Sequence, residues 1–203
     1  RDVFQRICRL NPDLILFTGD LLQPIPPATA ASELPKISEL FRTLHPPLGI
    51  FGVFGNVDHP LRLIRGEELG GLVMLESETM AVQAPGADFS LLGLSLPQSM
   101  GRQGVRQSVE RWLQDAGDSQ VTILLGHCQD YVQFIPDLPA DLCLAGHTHG
   151  GQIRIQFYGP PVTLSRIPRD WARGLHSTPA TRSGTAGPAS SCWSTAPSAT
   201  PGA

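Results

Sequence analysis

The sequence predicts an α/β protein with mixed sheets. Three observations carry that expectation. Residues 14–17, 50–54, 121–125 and 142–145 are short, continuous apolar runs, the pattern of strands buried on both faces. Between them lie stretches with helical apolar spacing, such as i, i+3, i+4 and i+7, each helix having one buried face. Mid-chain, three strand patterns follow one another with only short turns, which calls for antiparallel pairing in part of the sheet.

Taken in order, Val3, Phe4, Ile7 and Cys8 follow helical spacing, so residues 2–9 read as the end of a helix that Asn11-Pro12 breaks. Strand 14–17 comes next, then a loop marked by Pro24, Pro26 and Pro27. Ile37, Leu40, Phe41 and Leu44 define a second helix ahead of strand 50–54. Residues 61–69 read as a short helix closed by Gly70-Gly71. The three successive strands are 72–75, 80–82 and 89–94. Val105, Val109, Trp112, Leu113 and Ala116 form a helical stripe with Gly117 as its stop. Strands 121–125 and 142–145 follow, and 153–157 is a last candidate.

Composition narrows the function classes. Of 203 residues, 41% are apolar and 16% charged, a globular balance that supports one domain with a sizeable core. A net charge of −3 argues against a broad nucleic-acid-binding face. No apolar run approaches the roughly 18 residues that a membrane span needs. Cysteines 8, 128, 143 and 192 form no C-x-x-C pair, so a reduced compartment without a disulfide framework is expected. From 177 to 203, 24 of 27 residues are Ser, Thr, Pro, Ala or Gly, too little apolar surface to offset the entropy of ordering. The expected organisation is a folded domain over 1–176 and a disordered low-complexity tail over 177–203. The chain opens with Arg1 inside an apparent helix, so its lack of a signal peptide leaves the compartment open. Cytoplasm is the default, and a preceding segment would be the route to a membrane.

Four strand patterns end alike. Run 14–17 leads into Thr18-Gly19-Asp20, 50–54 into Gly55-Asn56, 121–125 into Gly126-His127, and 142–145 into Gly146-His147-Thr148-His149. Ligands of open α/β sheets gather beyond the carboxyl ends of strands, and glycine lets the backbone turn sharply there. Asp20, Asn56, His127, His147 and His149 can thus reach one rim, and this donor set suits Mn, Fe, Co or Zn. Asp readily bridges two cations, and His147 and His149 can each contact a different metal of a close pair. Gly-Asp or Gly-Asn alone is ordinary turn chemistry, and His127 alone could be a core histidine. Two histidines and two glycines within His147-Thr148-His149-Gly150-Gly151-Gln152 have few structural uses. The inference rests on the four ends together.

These pieces resemble the calcineurin-like metallophosphoesterase superfamily, through Thr18-Gly19-Asp20, Gly55-Asn56-Val57-Asp58, Gly126-His127 and the 146–152 stretch. That last stretch is most similar to the bacterial YkuE-like branch. The resemblance implies a β-sandwich of two mixed sheets flanked by helices. It also implies N-terminal truncation, because the family's opening Asp-x-His motif has no counterpart before Asp20. Two divalent cations (Mn, Fe or Zn) are implied for the parent family and one or none for this chain. Asp20 would bridge them, with Asn56, His127 and His147 on one and His149 on the other. Val57 stands where most members carry a histidine. Asp58 and His59 are the candidate catalytic groups beside it, with a plain surface role as the alternative for His59. Arg62, Gly150 and Gly151 are candidate substrate contacts, Arg65 lies close by, and a solvated helix face is the alternative for the arginines.

The implied function is hydrolysis of a phosphomonoester or phosphodiester by a metal-bound hydroxide, on a substrate tilted toward lipid or envelope phosphoesters. The alternative is a one-metal or metal-free remnant that at most binds phosphate or a partner. A nucleophilic Cys128 beside His127 is a third reading. It is opposed by geometry, since neighbours on an extended chain point to opposite faces.

Overall fold

The computed structural model describes residues 2–61, 69–102, 104–117, 120–150, 165–178 and 190–194. Its strands form two sheets. β1 (Ile15–Phe17), β2 (Ile50–Gly52) and β3 (Leu72–Met74) make a parallel sheet in that order, with Leu16, Phe51 and Val73 in register. The second sheet holds β4 (Glu78–Ala84), β5 (Ala87–Gly93), β6 (Val121–Leu125), β7 (Leu142–Ala145), β8 (Gly174–Thr178) and β9 (Ser190–Ser194), in the order β4-β5-β6-β7-β9-β8. β4 and β5 are an antiparallel hairpin, β5-β6-β7-β9 run parallel, and β8 is antiparallel to β9.

The strands alternate their apolar residues between two cores, which is why their runs are continuous in sequence. Leu16, Phe51, Val82, Leu91, Ile123 and Leu144 face the gap between the sheets. Ile15, Phe17, Ile50 and Leu72 face outward, onto α1 (Asp2–Leu10) and α2 (Ala30–Arg42) through Phe4, Ile7 and Phe41. Leu92, Leu124, Cys143 and Ala145 face the other way. They pack on α4 (Val105–Ala116) through Val105, Val109 and Trp112, and on the 3-10 turn Gln129–Phe134. The result is an α/β protein in four layers, helix–sheet–sheet–helix. The buried Trp112 indole N–H donates to Ser90 Oγ at 2.7 Å, which pins α4 to β5. α4 stops at Gly117, whose φ is +68° and whose N–H bonds Leu113 O at 3.3 Å.

Three expectations change. The first sheet is wholly parallel among the described residues, so only the second is mixed. Residues 72–75 do not join the hairpin that follows. Leu75 N–H bonds Gly52 O at 2.7 Å, keeping β3 beside β2, and Ser77, at φ +59°, turns the chain into the other sheet. The boundary expected at 176/177 falls inside β8, and residues 190–194 of the expected tail pair as β9 between β7 and β8. Ladder bonds are made by the backbone and do not require apolar composition. A short helix, α3 (Leu96–Ser99), has no apolar stripe to announce it. Residues 62–68 of the expected 61–69 helix, and the strand candidate 153–157, lie outside the described residues. Among the described residues no helix is long and apolar enough to cross a membrane.

Leu91 is fully buried between the sheets, whereas Leu175 on β8 is 53% exposed. Leu91→Ala is expected to lower unfolding free energy by about 2–5 kcal/mol in urea titrations. Leu175→Ala should stay within about 0.5 kcal/mol of the parent.

Candidate metal centre

The carboxyl ends of β1 and β2 in one sheet, and of β6 and β7 in the other, open on one rim. The side chains of Asp20, His127 and His147 place ligand atoms within 4.8 Å of one another there. Asn56 joins them, its Oδ1 3.0 Å from His127 Nε2. His147 Nδ1 lies 3.0 Å and Asp20 Oδ2 3.4 Å from that same nitrogen. The two imidazoles meet edge to face, with centroids 4.9 Å apart. His127 is buried, Asp20 and His147 are half-buried, and Asn56 is exposed at the mouth.

One bond decides what this cluster can hold. His127 Nδ1 is 2.7 Å from the Thr18 carbonyl. A carbonyl only accepts, so Nδ1–H donates and Nε2 of the neutral ring presents its lone pair. Asn56 Oδ1 and Asp20 Oδ2 turn lone pairs toward the same place. Acceptors converging in a partly dehydrated site repel one another unless a cation lies between them. Two oxygens and two imidazole nitrogens fit a divalent transition metal. The residues present therefore fit the cation that the donor chemistry calls for.

The turn carrying Asp20 is held from beneath. Asp58 is fully buried, and both its oxygens are taken by main-chain donors. Oδ2 accepts from Asp20 N–H and Gly55 N–H, each at 2.8 Å, and Oδ1 accepts from Leu22 N–H at 3.1 Å. One carboxylate thus clasps the loops after β1 and β2. Asp20 Oδ1 accepts from Val57 N–H at 3.3 Å, which leaves Oδ2 toward the cluster. Gly19 has φ +91°, and a Cβ there would sit 2.7 Å from both Gly55 N and His127 Nδ1. At Gly55 a Cβ would overlap the Asp20 carboxylate. The glycines of these motifs are where two loops and a ligand pass within van der Waals contact. Asp20, His147 and His149 have φ of +59°, +65° and +50°, left-handed backbone that non-glycine residues rarely adopt.

The remaining expected residues are placed as follows. His149 is exposed and outside the converging group, and Gly150 is buried beside it. His59 is exposed at the start of the 3-10 turn His59–Leu61, and Val57 contributes only its backbone to the Asp20 contact. Arg62, Arg65 and Gly151 lie outside the described residues. Burial pushes the Cys128 thiol up to about 12, so it is a neutral thiol at physiological pH and no nucleophile. Two roles went unread in the sequence: the Thr18 carbonyl as a partner of His127, and the backbone clasp made by Asp58, which was expected as a catalytic group and has both oxygens taken by main-chain donors. The Thr18 carbonyl carries no side-chain signature. The clasp made by Asp58 had one faint signal, an Asp three residues after a glycine, where Asx side chains bond nearby N–H groups.

Over residues 1–151 the chain matches the family model of calcineurin-like phosphoesterases. It is similar to the metallophosphoesterase YkuE of Bacillus subtilis, at 31% identity over 169 residues, covering 80% of this chain and 56% of the relative. It is similar to the phosphodiesterase YaeI of Escherichia coli, at 28% identity over 160 residues, covering 74% of this chain and 54% of the relative. A third relative is the UDP-2,3-diacylglucosamine pyrophosphatase LpxG of Chlamydia trachomatis, 24% identical over 228 residues, with coverage of 88% and 68%. The chain spans little more than half the length of YkuE and YaeI.

Asp58→Asn turns an amide N–H toward backbone donors that now meet an oxygen. It is expected to destabilise the metal-free protein by about 3 kcal/mol, read by urea denaturation. Asn56→Ala, at an exposed position, should leave stability within about 0.5 kcal/mol while weakening metal binding. Iodoacetamide at pH 8 should alkylate exposed Cys8 and spare Cys128 in the folded protein, as read by peptide mass spectrometry. Equal labelling of the two would contradict the burial argument.

Proposed function

The chain belongs to the calcineurin-like phosphoesterase family, and from that premise we propose that it is the core of a metal-dependent phosphoester hydrolase. Members of the family are metal-dependent hydrolases of phosphoester bonds. The observation that carries the reading is the convergence of Asp20, Asn56, His127 and His147 on one point, with the His127 tautomer set by Thr18. These four residues would hold one divalent cation, and manganese, iron or zinc suits them equally by donor type. A cation there supplies Lewis-acid activation of water and neutralises charge on the phosphoryl oxygens.

The chain's own groups do the rest. The Thr18 carbonyl keeps the proton of His127 on Nδ1, so Nε2 stays available as a ligand. Asp58 holds the Asp20 turn, and we assign it to positioning, since both its oxygens are occupied by backbone donors. His149, exposed at the rim, is free to reach a second cation or the phosphate. His59 lies on the surface and is assigned no step. We infer a phosphodiester or pyrophosphate bond on a lipid-bearing substrate. That choice is supported by the names of YaeI and LpxG, one a phosphodiesterase and one acting on a diacylated sugar nucleotide. A second reading, a one-metal remnant without turnover, is favoured by a single observation. His149 stands apart from the other donors, so the described residues build one cation site.

Purified protein supplied with Mn is expected to carry metal by elemental analysis and to hydrolyse bis-p-nitrophenyl phosphate. His147→Ala should lower that rate by about 100-fold or more. Metal bound without turnover would leave the remnant reading standing. Turnover untouched by His147→Ala would overturn the site itself.

A further inference from the structure

Two buried polar side chains outside the ligand set hold one stretch of chain against the rim. Thr148, between His147 and His149, is 5% exposed, and its hydroxyl donates to the Ala172 carbonyl at 2.7 Å. Asp130, three residues after His127, is 4% exposed, and its Oδ1 accepts from the Ser165 hydroxyl and, at 2.8 Å, from Arg166 N–H. Residues 165–172 thus run from a hold beside His127 to a hold between the two rim histidines. Their far end is fixed by packing. Ala172 is buried, and Trp171 packs on the β6–β7 core while stacking on His176 at 4.9 Å and 8°.

The turn that Thr148 occupies needs such a hold. His147 and His149 are both left-handed, at φ +65° and +50°, two and four residues past the end of β7. Backbone in this region persists where surrounding contacts over-determine it. The Thr148 N–H bonds Gly146 O at 2.8 Å within the turn, and Gly146 N–H bonds His127 O at 2.8 Å, which ties the start of the turn to the β6 loop. The hydroxyl bond to Ala172, across 24 residues, ties the middle of the turn, between the two histidines. We infer, resting on the metal-site reading above, that Thr148 is a positioning residue. Its hydroxyl sets the His147-Thr148-His149 backbone so that His147 Nδ1 meets the cation point shared with His127 Nε2. Thr148 itself touches neither cation nor substrate. A merely space-filling threonine would act through its methyl group.

The test compares Thr148→Ser, which keeps the hydroxyl, with Thr148→Ala and Thr148→Val, which lose it. Mn(II) affinity is measured by titration calorimetry on chelator-stripped protein, alongside the metal-free thermal midpoint. Thr148→Ser is expected to bind within about twofold of the parent, and the Ala and Val variants about 10- to 100-fold more weakly. Parent-like affinity in Thr148→Ala or Thr148→Val would overturn the inference. So would a Thr148→Ser loss equal to that of Ala. If both hydroxyl-free variants fail to fold while Thr148→Ser folds and binds, the bond is a folding contact and the positioning role falls. His147→Ala separates the two readings. A parent that binds no Mn sinks the metal site. A parent that binds, with His147→Ala impaired and Thr148→Ala unaffected, sinks this inference alone.

Discussion

The hydrogen bond from His127 Nδ1–H to the Thr18 carbonyl, at 2.7 Å, joins the two sheets where their strand ends meet. Thr18 follows β1 of the parallel sheet and His127 follows β6 of the mixed one. The bond therefore does two things at once. It sets the distance between the sheets at the rim, and it fixes which imidazole nitrogen can take a metal. Asp20 and Asn56 arrive from one sheet, His127 and His147 from the other. A cation held by all four would be coordinated across the sandwich, and its binding would then be coupled to the docking of the two layers.

The precision of the site comes from where rigid elements stop. The sheets are fixed by apolar residues on both faces, and each candidate ligand sits two to four residues beyond a strand end. Beyond those ends the chain turns through left-handed residues and close glycine contacts, conformations that local propensity opposes. Buried polar groups hold them there: the Asp58 carboxylate under the β1 and β2 loops, and the Thr148 hydroxyl in the β7 loop. An unpaired carboxylate at full burial would cost several kcal/mol, so the three backbone donors that meet Asp58 are a condition of its being there.

Placement within the family follows from the same parts. The match over residues 1–151 covers the β1, β2, β6 and β7 loops that supply the converging donors. His149, the donor expected on a second cation, stands exposed beside them. The chain spans little more than half the length of YkuE and YaeI, and among the described residues Asp20, His127 and His147 form the group whose ligand atoms converge.

Much of this was legible in the linear sequence. Parallel strands covered on both faces must be apolar throughout, so residues 14–17, 50–54, 121–125 and 142–145 could be read as strands. A glycine and a donor at each end marked the rim. The antiparallel β4–β5 hairpin and the Gly117 stop are local features and were equally readable. What sequence left open depends on partners distant along the chain. Residues 72–75 lie close in sequence to the hairpin, yet they pair with β2 through Gly52, because sheet membership is decided by which edge offers unpaired backbone groups. The Asp58 motif suggested catalysis, whereas its contacts with Asp20, Gly55 and Leu22 make it a clasp. Residue types and local spacing determined the strands and the donors. Only the tertiary structure decided which donors share one point and which carboxylate is spent on backbone, because hydrogen-bond partners and burial are properties of the assembled layers.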